Sequence, residues 1–399
     1  MRPLLLSAAT LASSLGLGLE ATRDALARGA SGLAPCRFET AALDTWVGEI
    51  AGVDETRLPD SLAAWDCRNN RAAELGLRQD RFEEAVRAAV ERHGADRIGV
   101  FLGTSTAGIL QTELAYRRRD PRDGSLPADF DYRRTHNTFS VAEYVRARLA
   151  LAGPCAAIST ACSSSAKAFA SAARHIEAGL IDAAVVGGVD TLCLTTLYGF
   201  GSLDLLSRSR CRPYDAQRDG ISIGEAAAFF LLERLPAEGK EGVALLGAGE
   251  SSDAYHMSAP HPEGRGARMA MEAALGSAAL DPAAIDYVNL HGTGTQSNDA
   301  SEDLAVTALF GDRVPCNSTK GMTGHALGAA GGVEAIVALL AIRDSFVPPG
   351  VGTRRIDPAL RARYELAGGA RRVERVMSNS FGFGGSNCSL VFGRVGRSS

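Results

Sequence analysis

The chain has 399 residues, 46% hydrophobic and 22% charged, with a net charge of -4. That balance excludes a disordered or fibrous chain and leaves ample material for a buried core. A pI near 6.0 lacks the basic footprint of a general nucleic-acid binder, and no uncharged apolar run reaches the roughly 18 residues of a membrane span. Eight scattered cysteines without a CxxC pair read as reduced thiols of a cytoplasmic protein.

The first segment is ambiguous. Arg2 and the largely apolar residues 3–12 imitate a secretory signal, but Ser7 and Thr10 interrupt the run, and 20–28 has the pattern of an amphipathic helix in a mature fold. In chain order there follow an expected helix at 81–93, a strand at 98–102, a helix at 141–151, a strand at 156–158 and a helix at 164–178 stopped by Gly179. Strands at 183–186 and 227–232 come next, then a helix at 268–278, a strand at 287–290, helices at 299–310 and 333–342, and strands at 373–377 and 389–392. Strands alternating with helices predict an α/β layered fold. The order also repeats. GVFLGTSTAG (99–108) resembles YVNLHGTGTQ (287–296), and ISTACSSSAKAFASAA (158–173) echoes NSTKGMTGHALGAAGG (317–332). Two halves, 1–238 and 239–399, are therefore expected, with a boundary near 235–241 marked by Pro236, Gly239 and Gly242.

Three segments carry candidate chemistry. In AISTACSSSAKAF a strand runs through small residues into a helix, which puts Cys162 at a helix start. Free N–H groups and the helix dipole there can move a thiol from about 8.5 toward 7. The other reading of this segment is a serine-rich cap with a passive cysteine, since most cysteines are small buried hydrophobes. His291 ends an apolar strand in NLHGTGT, and His325 lies in a glycine-rich turn. Two of only seven histidines thus fall in the repeated motifs, alongside a cysteine at a helix start, as a catalytic constellation requires. Zinc is disfavoured because neither CxxC nor HxxxH occurs. The third segment, SNSFGFGGSN (378–387), reads either as a tight turn or as a source of backbone N–H groups for an oxyanion, each worth about 3 kcal/mol in acyl transfer.

TACSSS, NLHGTGT, NSTKGMTGHALGAAGGVEA and NSFGFGGSN, in this order, resemble the β-ketoacyl-acyl-carrier-protein synthases of the elongating Cys-His-His type, members of the thiolase superfamily. VVGGVD (185–190), CRPYDAQRDG (211–220) and GEAAAFFLLE (224–233) extend the resemblance over nearly the whole chain. It implies a thiolase fold, with duplicated α/β halves in a five-layered αβαβα arrangement. By the same resemblance Cys162 holds the acyl chain, and His291 and His325 stabilise the enolate left when a malonyl thioester loses CO2. Lys320 and Glu334 form a supporting ion pair. Thr293 and Thr295 bind the pantetheine arm, Phe383 gates the site and supplies an oxyanion N–H, and Phe381 and Gly384 lie beside it at the substrate. The implied partners are an acyl carrier protein, which brings its own 4′-phosphopantetheine so that no other cofactor is needed, and a second subunit, in a homodimer or a ketosynthase/chain-length-factor heterodimer. Arg68, Arg71 and Arg208 fall near docking positions for the acidic carrier. Ser163, Ser164 and Ser165, Lys167, and the run Gly294, Thr295, Gln296 depart from the fatty-acid pattern. They leave fatty-acid synthesis and type II polyketide synthesis, including aryl polyenes, both open. Two relatives fit less well: a thiolase needs a second cysteine in the glycine-rich motif, and a non-catalytic chain-length factor lacks the nucleophile.

Overall fold

The computed structural model describes residues 1–236 and 241–396. The expected boundary between 238 and 239 lies outside the described residues. Ten strands carry the architecture: β1 (Leu4–Ser13), β2 (Ile98–Gly103), β3 (Cys155–Ile158), β4 (Ala183–Asp190), β5 (Ala226–Arg234), β6 (Gly242–Ser252), β7 (Tyr287–Asn289), β8 (Cys316–Asn317), β9 (Arg375–Gly382) and β10 (Ser386–Val395). They are ordered β8-β7-β9-β10-β6-β1-β5-β4-β2-β3, with the short strand Gly16–Leu17 paired to β1.

From the central strands outward the two arms are identical in sense. β1 to β5 and β5 to β4 are antiparallel, then β4 to β2 and β2 to β3 parallel. β6 to β10 and β10 to β9 are antiparallel, then β9 to β7 and β7 to β8 parallel. Among the described residues the strands of the two arms pair only at Leu4–Leu245 and Leu5–Ala244, so the centre is a seam between two five-stranded sheets.

Parallel strands must be covered on both faces, and seven helices do this: α1 (Arg68–Leu77), α2 (Phe82–His93), α3 (Ser140–Arg148), α4 (Ser164–Glu177), α5 (Arg265–Ala278), α6 (Gln296–Phe310) and α7 (Ala330–Asp344). α4 and α7 lie between the sheets in one core with Phe169, Phe230, Ile336 and Phe392. α7 is buried from Ala330 to Ile342, as a helix apolar all round must be. α1, α2 and α3 cover the N-terminal sheet through Phe82, Tyr144 and Phe229, and α5 and α6 cover the C-terminal one through Met271, Phe310 and Val391. The result is the five-layered arrangement.

The ambiguous first segment is β1, at the middle of the molecule. Its register shifts between Leu6 and Ala8, which accounts for the polar break at Ser7 that spoils its periodicity. β6 is not foreseen in the sequence, because its glycines argue against a strand. They are there for close approach: a Cβ on Gly249 would stand 2.2 Å from the Ala270 carbonyl oxygen of α5. No helix among the described residues is long and apolar enough to cross a membrane.

Candidate active site

The loops after β3, β7 and β8 converge. After β3 the chain turns sharply, with Ala161 at φ 52°, a left-handed conformation that costs a non-glycine residue about 1–3 kcal/mol. The turn is tied down by Ser164 Oγ, which accepts from the Thr160 N–H at 2.9 Å, and by Ser163 Oγ, which donates to the Thr160 carbonyl at 2.8 Å. The serine run therefore caps the turn, and Cys162 is presented just ahead of α4, buried at 6% exposure.

Cys162 Sγ lies 3.1 Å from His325 Nε2. His325 Nδ1 accepts the Leu327 N–H at 3.2 Å, so the ring proton is on Nε2, facing the sulfur. The His291 ring stands edge-on to that of His325, with centroids 5.2 Å apart. The Lys320 ammonium is 3.5 Å from His291 Nδ1 and donates to the His291 carbonyl. A lysine can only donate, so His291 too carries its proton on Nε2. Lys320 is paired to buried Glu334, whose second oxygen accepts from Ser380 Oγ at 3.3 Å. A buried lysine needs such a partner.

Burial, reinforced by the Lys320 charge, holds both histidines well below their usual range. They are neutral N–H donors. Burial also pushes the Cys162 thiol up to about 11, against the pull of Lys320 and of the Phe383 N–H bonded to the sulfur. The helix start was expected to depress this thiol. In this site desolvation outweighs it and favours the neutral thiol of Cys162.

The glycine-rich segment is both of the things its sequence allows. It is the turn between β9 and β10, and it walls the nucleophile. A Cβ on Gly382 would stand 2.8 Å from the Thr160 oxygen and 3.2 Å from the Cys162 nitrogen, so only glycine lets Phe383 approach. The Phe383 ring packs on Phe200 at 5.7 Å, and exposed Gly384 donates its N–H to the Met257 carbonyl at 2.8 Å. These aromatics, with Phe381, Thr293, Thr295 and the three central residues, line one cleft. The Thr293 and Thr295 hydroxyls are 2.9 Å apart, and Thr295 also caps α6 by accepting the Asn298 N–H.

The ligating atoms of Cys162, His291 and His325 lie within 4.8 Å of one another. A metal would need a Cys162 thiolate and unprotonated Nε2 atoms, whereas both rings carry their proton on Nε2, and the Lys320 ammonium against His291 opposes a second cation.

The arginines divide. Arg68 is buried, not poised for docking: its guanidinium is held by Glu225 at 2.6 Å and Asp54 at 2.7 Å. Three carboxylates in the 49–54 and 225 segments need that charge, which is why it cannot face a partner. Arg71 is engaged on both sides by Asp66. Arg208 is exposed, and its backbone N–H meets Asp219 at 3.3 Å. Sequence reasoning missed Phe200, Glu302 and Asp190. Glu302 accepts the His291 and Gly292 N–H groups at 2.7 Å each and so holds the histidine loop. The signal was a carboxylate in a helix that begins just after the NLHGTGT loop.

The N-terminal beta-ketoacyl synthase domain model matches residues 12–237, and the C-terminal one residues 243–354. The chain belongs to the beta-ketoacyl synthase family. Among curated members of that family it is 38% identical to 3-oxoacyl-[acyl-carrier-protein] synthase 2 of Rhizobium meliloti (strain 1021), over 74% of each chain. It is 33% identical to the enzyme of the same name from Staphylococcus aureus (strain COL), over 79% of this chain and 82% of that one. Among solved structures it resembles a chain of the ketosynthase (ApeO) in complex with its chain length factor (ApeC) from Xenorhabdus doucetiae, at 39% identity, 98% coverage of both chains and a TM-score of 0.88. A beta-ketoacyl synthase from Burkholderia phymatum STM815 matches at 28% identity and a TM-score of 0.86, over 99% of this chain and 100% of that one. The fold is that of the thiolases, and this beta-ketoacyl synthase is an acyltransferase.

Proposed function

We propose that this chain extends an acyl group held on Cys162 by two carbons taken from a malonyl thioester. The observation that carries the reading is the contact of a buried cysteine with one of two neutral N–H histidines. In the first half-reaction the Cys162 sulfur attacks the carbonyl of an acyl thioester. The carbonyl oxygen takes up charge against the N–H groups of Cys162 and Phe383, the bond to the pantetheine sulfur breaks, and the thiol proton leaves with that sulfur. In the second, the malonyl thioester occupies the cleft with its carbonyl oxygen toward His291 and His325 Nε2. The bond to the carboxylate breaks, CO2 leaves, and the electron pair becomes an enolate that both N–H groups stabilise. The enolate carbon then attacks the acyl-Cys162 carbonyl. A carbon–carbon bond forms, the carbon–sulfur bond breaks, and the Cys162 thiolate takes up a proton.

The substrates are read as acyl and malonyl acyl carrier proteins, with the pantetheine arm on Thr293 and Thr295 between Phe200 and Phe383. Full-length likeness to a ketosynthase found with a chain length factor supports a type II polyketide setting and a heterodimer, over a homodimer acting in fatty-acid synthesis. Intact-mass spectrometry tests both points. Wild type and Cys162→Ala are mixed with acyl carriers of several chain lengths and then with malonyl carrier. An acyl adduct on wild type only, discharged as a chain two carbons longer, is expected. No adduct with any donor, alone or with a candidate chain length factor present, would remove Cys162 as the nucleophile.

A further inference from the structure

Asp190 ends β4 fully buried and has no part in the chemistry above, yet its carboxylate collects five donors. Oδ1 accepts from Thr104 Oγ1, the Thr106 N–H and Thr106 Oγ1, each at 2.8 Å, and from the Ser105 N–H at 2.9 Å. Oδ2 accepts the Gly328 N–H at 2.6 Å and shares the Ser105 N–H at 3.0 Å. The first four belong to the loop after β2, in the N-terminal half. The fifth belongs to the turn that carries His325, in the C-terminal half. Gly328 follows Leu327, whose own N–H holds His325 Nδ1 and whose φ is a strained 48°. A strained backbone persists only where its surroundings over-determine it, and Asp190 supplies that determination.

We infer that Asp190 is a positioning residue: by fixing the Leu327–Gly328 peptide it keeps His325 in the tautomer whose Nε2–H faces the substrate. This rests on the reading of His325 as an enolate donor. The closeness of the fit supports it, since a Cβ on Gly328 would lie 2.8 Å from both Asp190 Oδ2 and the Ser105 nitrogen. An amide in place of the carboxylate keeps the shape but aims N–H against N–H. Its oxygen is best kept in the Oδ1 place, where the fixed Ser105 and Thr106 N–H groups and both threonine hydroxyls donate, so its NH2 takes the Oδ2 place against the equally fixed Gly328 N–H. The mismatch therefore falls on the histidine turn.

The test compares Asp190→Asn and Gly328→Ala with wild type. It uses two assays on the full chain, with any required partner subunit: acylation of Cys162 by an acyl carrier, and CO2 release from malonyl carrier. Decarboxylation is expected to fall at least tenfold in both variants while the acylation rate changes less than threefold. The ¹⁵N shifts of His325, assigned against His325→Asn, should show the Nδ1-protonated form appearing. Gly328→Ala disturbs the same contact with Asp190 intact, so it carries the test if Asp190→Asn does not fold. Equal losses in both assays, or an unchanged tautomer, would overturn the inference. A wild type that neither acylates nor decarboxylates would instead sink the proposed function.

Discussion

The two halves solve the same local problem for different ends. In each, a parallel strand feeds a loop and then a buried helix: β3 into Cys162 and α4, β8 into Lys320, His325 and α7. In each, the neighbouring strand, β2 or β7, feeds a Gly-Thr loop held by a buried carboxylate, Asp190 in one half and Glu302 in the other. On the proposed reading the N-terminal copy presents the nucleophile, and the C-terminal copy presents the proton donors and the lysine behind them. Duplication thus provides two rigid platforms across a seam, and divergence of a few loop residues divides one reaction between them.

If the labour is divided, the halves should fail separately. Removing the nucleophile is the largest change. Cys162→Ala should lower condensation by at least about 10³-fold, the scale expected when a covalent nucleophile is lost, while malonyl decarboxylation persists. Loss of CO2 release along with condensation would show that the halves do not act independently.

The C-terminal half buries Lys320 and the N-terminal half buries Arg68 and Arg218, and the next comparison sets Lys320 against Arg68. Removing one member of a buried pair costs about 3–5 kcal/mol. Lys320→Met should therefore lose stability on that scale in a chemical melt, leaving Glu334 uncompensated. Arg68→Met should lose a similar amount through Glu225, which also accepts the Ile50 and Leu192 N–H groups at 2.9 Å. Only Lys320→Met should alter decarboxylation, because only Lys320 touches a histidine. Equal effects on CO2 release would mean that Lys320 acts through packing alone.

The pH responses should differ as well. With the thiol pushed up to about 11, the thiolate fraction rises roughly tenfold per pH unit below that value. Alkylation of Cys162 by iodoacetamide, followed by mass, should climb steadily from pH 7 to 9. The histidines sit well below their usual range and stay neutral, so decarboxylation by Cys162→Ala should hold level from pH 8 down to 6. An alkylation plateau by pH 8 would mean that Lys320 and the helix start overcome burial after all.

Much of this was legible because it is local. The echo of 99–108 in 287–296 names β2 and β7, and that of 158–173 in 317–332 names the loops that bring Cys162, Lys320 and His325 together. What was hidden depends on packing across the chain. β6 reads as a poor strand until α5 lies on Gly249. The thiol of Cys162 reads as activated until its burial is known, because sequence shows the helix start but not the desolvation. Arg68 reads as surface charge until Glu225, 157 residues away, is seen beneath it. Asp190 lies in a motif of recognisable type, yet only the fold shows that one carboxylate spans both halves.

The smallest expected effect concerns the surface. With Arg68 buried and Arg71 committed to Asp66, reversing either would confound docking with local structure. Arg208 avoids the difficulty: it is exposed, and among the described residues no carboxylate pairs with its guanidinium. An exposed charge contact with an acidic carrier is worth about 0.2–1 kcal/mol. Arg208→Glu, which also adds repulsion, should thus raise the carrier KM by about three- to tenfold, less at high salt. Acylation by a short pantetheine thioester, which needs only the cleft, should not change. A KM that stays put would move the docking face away from the loop after Leu205. A loss with the short thioester as well would place Arg208 in the cleft wall, where its charge would matter to the substrate itself.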